Sequence, residues 1–236
     1  MIEEILTEMK SLADPALSAH QKIYFKAGRG GYGESDRFLG LTVPQVRKIS
    51  KKYGKKCDEN CLNEMLKSAY HDIRLAALLI MIEKFEQGKP EEQCRLYQLY
   101  LDNIPTINNW DLVDVSAAKI VGAYIYPNPE VLWKLADENH LWSQRIAMLA
   151  SNYFVQKGDY TPTLRLAEKF IASQHDLMHK ASGWILREVG KKDLGSLCRF
   201  LDQNAAKMPR TMLRYAVEKL EPRQRQTYLA QKTLRW

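Results

Sequence analysis

Long apolar runs are missing from this chain. Its most hydrophobic stretch, LAALLIMI at 75–82, is far shorter than the ~20 residues a membrane-spanning helix needs. Glycine and proline are sparse, 12 and 9 in 236 residues, which excludes collagen-like and low-complexity disordered chains. Cysteine is limited to Cys57, Cys61, Cys94 and Cys198. Cys57 and Cys61 are four apart, but no second Cys or His pair completes a zinc ligand set, so the four read as reduced helix cysteines and no metal is implied. The opening MIEEILTEMKSLA lacks the basic start and apolar stretch of a signal peptide and the Arg-rich character of a transit peptide. A cytoplasmic protein without a membrane partner is expected. The segment GRGGYGESDRFLG at 28–40 has glycines but neither a preceding strand nor the Lys-Ser/Thr ending of a phosphate-binding loop. Its glycines read as a hand-over between helical units, with Phe38 and Leu39 as anchors, and no cofactor is called for.

Against these absences stand 35 Lys+Arg and 28 Asp+Glu, a formal net charge of +7. A basic surface concentrates polyanions through long-range attraction. Strand patterning is scarce, whereas apolar residues recur at three- and four-residue spacing between breakers such as Asp14-Pro15, Gly88-Lys89-Pro90, Pro127-Asn128-Pro129 and Glu221-Pro222. The periodicity predicts helices near 2–13, 16–26, 44–53, 58–69, 71–87, 91–102, 109–125, 129–138, 141–156, 161–173, 176–190, 193–206, 209–220 and 222–232. Thr42 and Asp176 are expected N-caps. No long polar linker interrupts the pattern, so residues 1–236 read as a single domain.

The pattern repeats. RLAALLIM, DVSAAKIV, RIAMLASN, KASGWILR and RTMLRYAV begin at residues 74, 114, 145, 180 and 210, and helix pairs recurring at roughly this interval mark HEAT-type arrays. In the first four a charged residue is followed by small ones, which let neighbouring helices approach closely. The expected fold is all-α, a right-handed superhelical solenoid of HEAT-like antiparallel helix pairs with a concave basic groove. The charged position reads Arg74, Asp114, Arg145, Lys180 and Arg210, a ladder along one face, with Arg187 and Arg214 widening it. A cationic row suits DNA phosphates; the competing reading is inter-repeat bracing. Asp114 is the one acid. Trp110 lies one turn before it on NNWDLVDVSAAKIVGAYI, and Trp184 lies one turn after Lys180.

At these residues the sequence resembles the bacterial DNA alkylation repair family, the AlkD-like HEAT-repeat DNA glycosylases. The matching segments are FLGLTVPQVRKI (38–49), NNWDLVD (108–114), LWSQRIAM (141–148) and HKASGWILREVGKK (179–192). The resemblance implies hydrolysis of the N-glycosidic bond of N3- or N7-alkylated purines in duplex DNA, the first step of base excision repair. It assigns the catalytic carboxylate to Asp114, the flanking indoles to Trp110 and Trp184, and DNA contacts to Arg145 and Arg187. Some members carry two adjacent tryptophans where this chain has Asn109-Trp110.

The chemistry needs little. A purine alkylated at N3 or N7 is already cationic, so its departure requires no general acid. A carboxylate stabilises the sugar cation left behind, and aromatic faces favour positive charge. The expected partner is double-stranded DNA containing alkylated purines, bound by a monomer associated with the nucleoid. Two other readings remain at this point: a non-catalytic DNA-binding paralogue, expected to lack the acid, and a protein–protein scaffold, expected to show no salt-dependent DNA affinity.

Overall fold

The computed structural model describes residues 1–231, and each stretch expected to be helical is helical. The final expected helix reaches residue 232, outside the described residues; within them it runs Pro222–Ala230. The one extended pairing among the described residues is an isolated parallel bridge between Arg37 and Tyr70.

Helix starts follow local chemistry. Asp14 caps α2 (Pro15–Tyr24) by accepting from the Ala16 and Leu17 amides, with Pro15 in the first turn. Thr42 caps α3 (Val43–Tyr53) through a reciprocal capping box with Gln45, as expected. Asp176 does not cap α12 (Asp176–Lys192): the N-cap is His175 and Asp176 is already the first helical residue. There its carboxylate pairs with Lys180 one turn on, at 2.7 Å, where it also meets the positive end of the helix dipole.

The described residues pack as two compact units, divided between Tyr124 and Ile125. In the first, α5 (His71–Gln87) is the central element, buried along thirteen of its residues. It packs against α3, α4 (Glu59–Leu66), α6 (Pro90–Asp102) and α7 (Trp110–Ala117), so both its faces are apolar, as a helix covered all round must be. The chain continues from α7 through a π-helical turn, Ala118–Gly122, into a last turn, Ala123–Ile125. In the second unit, α10 (Leu141–Gln156) packs on α9 (Glu130–Asp137), α11 (Thr161–Lys169) and α12. Helix α12 packs in turn on α13 (Leu194–Asn204) and α14 (Arg210–Ala216). In each unit, therefore, a repeat helix meets the repeat helix that follows it in sequence.

The small residues allow this. A Cβ on Gly183 would lie 2.4 Å from the Met212 carbonyl oxygen and 2.6 Å from Tyr215 Cβ, so α12 and α14 approach too closely for any side chain. The irregular 28–40 segment is anchored as expected: Phe38 and Leu39 are buried. Buried Asp72, on α5, accepts from the Leu39 and Leu41 amides at 2.8 and 3.0 Å, satisfying two backbone donors the loop would otherwise bury unpaired. Gly40 takes a left-handed φ of 84°, and a Cβ there would sit 2.0 Å from the Asp14 carbonyl.

Candidate active site

The start of α7 carries Trp110, Asp111 and Asp114, and its placement is unusually constrained. The Asn109 N-cap is fully buried. Its Oδ1 accepts from the Trp110 amide at 2.9 Å, while its Nδ2 donates to the Phe25 carbonyl and to Asp36, both at 3.3 Å. Asn109 is thus a structural cap, and a second indole at this position would destroy it. Trp110 is half-buried, its ring 5.4 Å from Phe25 and edge-on to Tyr24 at 5.6 Å. One turn further, Asp114 is partly exposed, above Tyr100 and Ser116, whose hydroxyls bond at 2.9 Å in the core. Burial raises the Tyr100 pKa well above its ordinary value, and the charge of Asp114 adds to the shift.

Beneath the helix start lies a buried polar cluster. Asp36 accepts from Arg74 Nη2 at 2.6 Å and from Asn108 Nδ2 at 2.9 Å through Oδ1. The His71 ring contacts Asp36 through Nδ1 at 3.3 Å and Asp111 through Nε2 at 2.8 Å. Two carboxylates, one guanidinium and one imidazole are thus gathered in a nearly dry site, where each charge needs a partner. Burial alone would raise the Asp36 pKa, but the His71 hydrogen bond, the Arg74 charge and the Asn108 amide hold it near 2. Burial alone would depress His71; the Asp111 charge and the bonds to both carboxylates outweigh it and raise the imidazole to about 9.

The rungs of the expected basic ladder differ in their surroundings. Arg74 is 4% exposed, ion-paired to Asp36 and donating to the Ser68 carbonyl at 2.7 Å. It braces the core in this structure. Arg145 is likewise 4% exposed, with Nη1 donating to the Leu177 carbonyl at 2.5 Å; it ties α10 to the first turn of α12. Arg210 donates to the Leu229 and Gln231 carbonyls at 2.9 and 3.3 Å, closing the C-terminal end of α15 (Pro222–Ala230). At each of these three positions the arginine donates to a backbone carbonyl outside its own helix, so the periodic charge takes part in packing there.

The outer face of α12 differs. Lys180, Trp184 and Arg187 follow at four- and three-residue intervals and share one helix face. The Lys180 side chain is 43% exposed. The Trp184 indole N–H donates to Glu188 at 3.2 Å, and Glu188 also holds Lys191 at 2.7 Å. Arg187 pairs with Glu218. Lys180 is open to solvent, where an acidic neighbour is a weak competitor for a phosphate, whereas the Arg187 side chain is 18% exposed.

A family model described as DNA alkylation repair enzyme matches residues 5–220. The chain belongs to the DNA alkylation repair enzyme family. Among solved structures, one described as a predicted DNA alkylation repair enzyme from Enterococcus faecalis superposes with a TM-score of 0.70. That likeness covers 89% of this chain and 97% of the other at 15% identity; at that identity it speaks for the fold alone. Among curated proteins nothing matches. Membership supports a role in alkylation repair.

The sequence patterns gave no part to Asp111 or Asn108, though both stand in NNWDLVD, nor to Asp36 in the 28–40 segment or to His71. The available signal was polar residues at the starts of α5 and α7, where a core-facing helix end ordinarily carries only its cap. The patterns also missed Tyr24 and Phe25, the rings against which Trp110 packs.

Proposed function

We propose that this family member is a DNA glycosylase that hydrolyses the N-glycosidic bond of cationic N3- and N7-alkylated purines in duplex DNA. The observation that carries the reading is the pairing on α7 of a partly exposed carboxylate, Asp114, with a half-buried indole, Trp110, one turn apart. Both sit on a helix whose first turn is fixed from below by buried hydrogen bonds.

In the reaction the C1′–N bond breaks with its electron pair moving onto the purine, which neutralises the lesion's positive charge. Water adds to C1′ and loses its proton to solvent. Asp114 stabilises the oxocarbenium-like sugar and orients the water. A charge preorganised where the transition state develops its own is the strongest single device available to such a site. Trp110 offers its face to the cation, a contribution of ~0.5–2 kcal/mol where water is excluded. The family resemblance gives Trp184 the same part, and its half-buried ring has the exposure the part requires. Lys180 and Arg187 are the proposed phosphate contacts; no base-edge reader is needed for a sequence-independent search. The reading needs no metal and no cofactor.

The test is direct. Duplex DNA carrying 7-methylguanine is incubated with the protein and the free base is measured. Release, together with intact uracil-containing duplex, supports the reading. No release from any cationic lesion, with salt-dependent duplex binding retained, would show a non-catalytic DNA-binding protein instead.

A further inference from the structure

His71 belongs to no motif that suggested the function, yet it is a deeply buried ionisable group of the first unit. It is buried to 3% exposure, and both ring nitrogens face carboxylates: Asp36 on the 28–40 segment and Asp111 in the first turn of α7. A neutral imidazole has one N–H and one lone pair. It could donate to only one of the two and would turn the lone pair on the other; the imidazolium donates to both.

The ring also packs against Phe25 and Phe38, each with its centroid 4.9 Å away, and Phe25 is in turn the ring beneath Trp110. The remaining charged groups around it are few. On α5 itself are Arg74, engaged with Asp36, and Asp72, engaged with the Leu39 and Leu41 amides. Arg37, beside Asp36, is exposed. From the segment before α7 come only the neutral amides of Asn108 and Asn109, and from the end of α2 only Phe25. Asp36 and Asp111 therefore balance Arg74 and a charged His71, two against two.

We infer that His71 is a positioning residue for the Trp110–Asp114 pair: as an imidazolium between Asp36 and Asp111 it locks the first turn of α7 and, through Phe25, the plane of the Trp110 ring. This rests on the glycosylase reading for its consequence, not for its geometry. Asp111 is the grip. It adjoins Trp110 and precedes Asp114 by three residues, and its second oxygen, Oδ1, is buried with no hydrogen-bond partner. Its place is therefore set by His71 alone among the hydrogen bonds of its side chain. Releasing His71 from Asp111 frees the turn that aims both functional groups, and misplacement by an ångström costs about a hundredfold in rate.

The experiment compares single-turnover excision of 7-methylguanine by wild type, His71→Gln and Asp111→Asn between pH 6 and 10. Taking the ratio of wild type to each variant cancels any titration of the substrate. Expected is a ratio of about ten- to a hundredfold at neutral pH for His71→Gln, collapsing toward one above about pH 9. Duplex affinity should not change. In Asp111→Asn, loss of the neighbouring charge should move the alkaline fall-off down by one or more pH units. Ring-15N NMR of the wild type, with His71 assigned by its absence from His71→Gln, should show both nitrogens protonated at neutral pH and a titration that coincides with the kinetic fall-off.

A ratio that is constant with pH, as a purely structural role would give, overturns the inference. So does a singly protonated ring at neutral pH. Should either variant fail to fold, the wild-type NMR titration and kinetic fall-off still decide, and their non-coincidence refutes the role. If the wild type releases no base at all, the glycosylase reading has failed and the role falls with it. Release with an unaltered profile in the variants sinks the role alone.

Discussion

At the scale of single residues, Asp114 and Arg74 separate chemistry from support. Asp114→Asn keeps the side chain's shape and removes its charge. Single-turnover excision is expected to fall by ~10²–10³, the usual cost of one preorganised electrostatic partner, while duplex affinity holds or rises because an anion has left a phosphate-binding surface. Trp110→Ala should slow excision by less, since a cation–aromatic contact is the smaller contribution. Near-wild-type excision by Asp114→Asn would refute the catalytic part. Arg74→Ala has the opposite signature. Removing the guanidinium leaves Asp36 ionised in a site where its side chain is 1% exposed, and breaking one side of a buried pair costs ~3–5 kcal/mol. Chemical denaturation should reveal that loss. A variant of wild-type stability with weakened DNA binding would restore Arg74 to the phosphate ladder.

At the scale of elements, two junctions carry the strongest forecasts. Helices α12 and α14 meet across Gly183, where an added Cβ would press on the Met212 backbone and on Tyr215. Backbone cannot step aside as a flexible side chain can, so Gly183→Ala should destabilise by ~1–3 kcal/mol despite alanine's better helix propensity. A more stable Gly183→Ala protein would contradict the close approach.

The junction of α5 with α7 is governed by charge. His71 is raised from 6.5 to about 9, so its contribution is fully present below pH 6.5 and is lost as pH rises through about 9. Asp36 is lowered from 3.8 to about 2, so its contribution is present above pH 3.8 and is lost as pH falls through about 2. Stability from this cluster is thus greatest between about pH 4 and 6.5. Linkage puts the alkaline loss at roughly 3 kcal/mol. Melting curves of the wild type should drop between pH 6.5 and 9, and those of His71→Gln should be flatter over that window. Parallel curves for the two proteins would show that His71 does not titrate there.

At the scale of the whole molecule, the net charge of +7 should give duplex binding that weakens steeply with salt and shows no sequence preference. Neutralising Lys180 or Arg187 is expected to lower the slope of log K against log salt by ~0.9 for each phosphate that the variant no longer neutralises. Arg145→Gln should instead act chiefly on stability, because its guanidinium is buried against the Leu177 carbonyl. A slope unchanged by both surface substitutions would remove α12 from the DNA-binding face. The commitment to cationic lesions belongs at this scale too: efficient uracil excision would reveal a general acid and refute the mechanism.

The amino-acid sequence alone determined the helices, their repeat, the break at Asp14-Pro15, the cap at Thr42 and the Trp110–Asp114 spacing. Each is a local property: a helix is written in a period of 3.6 and in breakers a few residues away, and residues four apart on a helix share a face wherever it goes. The need for small residues at Gly183 was legible for the same reason, as part of a recurring pattern.

What only the tertiary structure decided is which charges face water. Arg74 and Arg145 occupy the same repeat position as Lys180, yet the first two are buried and the third is exposed. That difference depends on partners 32 to 38 residues away, Leu177 for Arg145 and Asp36 for Arg74. The Asp36–His71–Asp111 contact likewise joins residues 35 and 40 positions apart. A side chain's charge is local, but its solvation and its partner are set by elements that meet only when the chain folds. Desolvation makes such pairing obligatory where it occurs, so a buried arginine of the row is also a strut of the helices it joins.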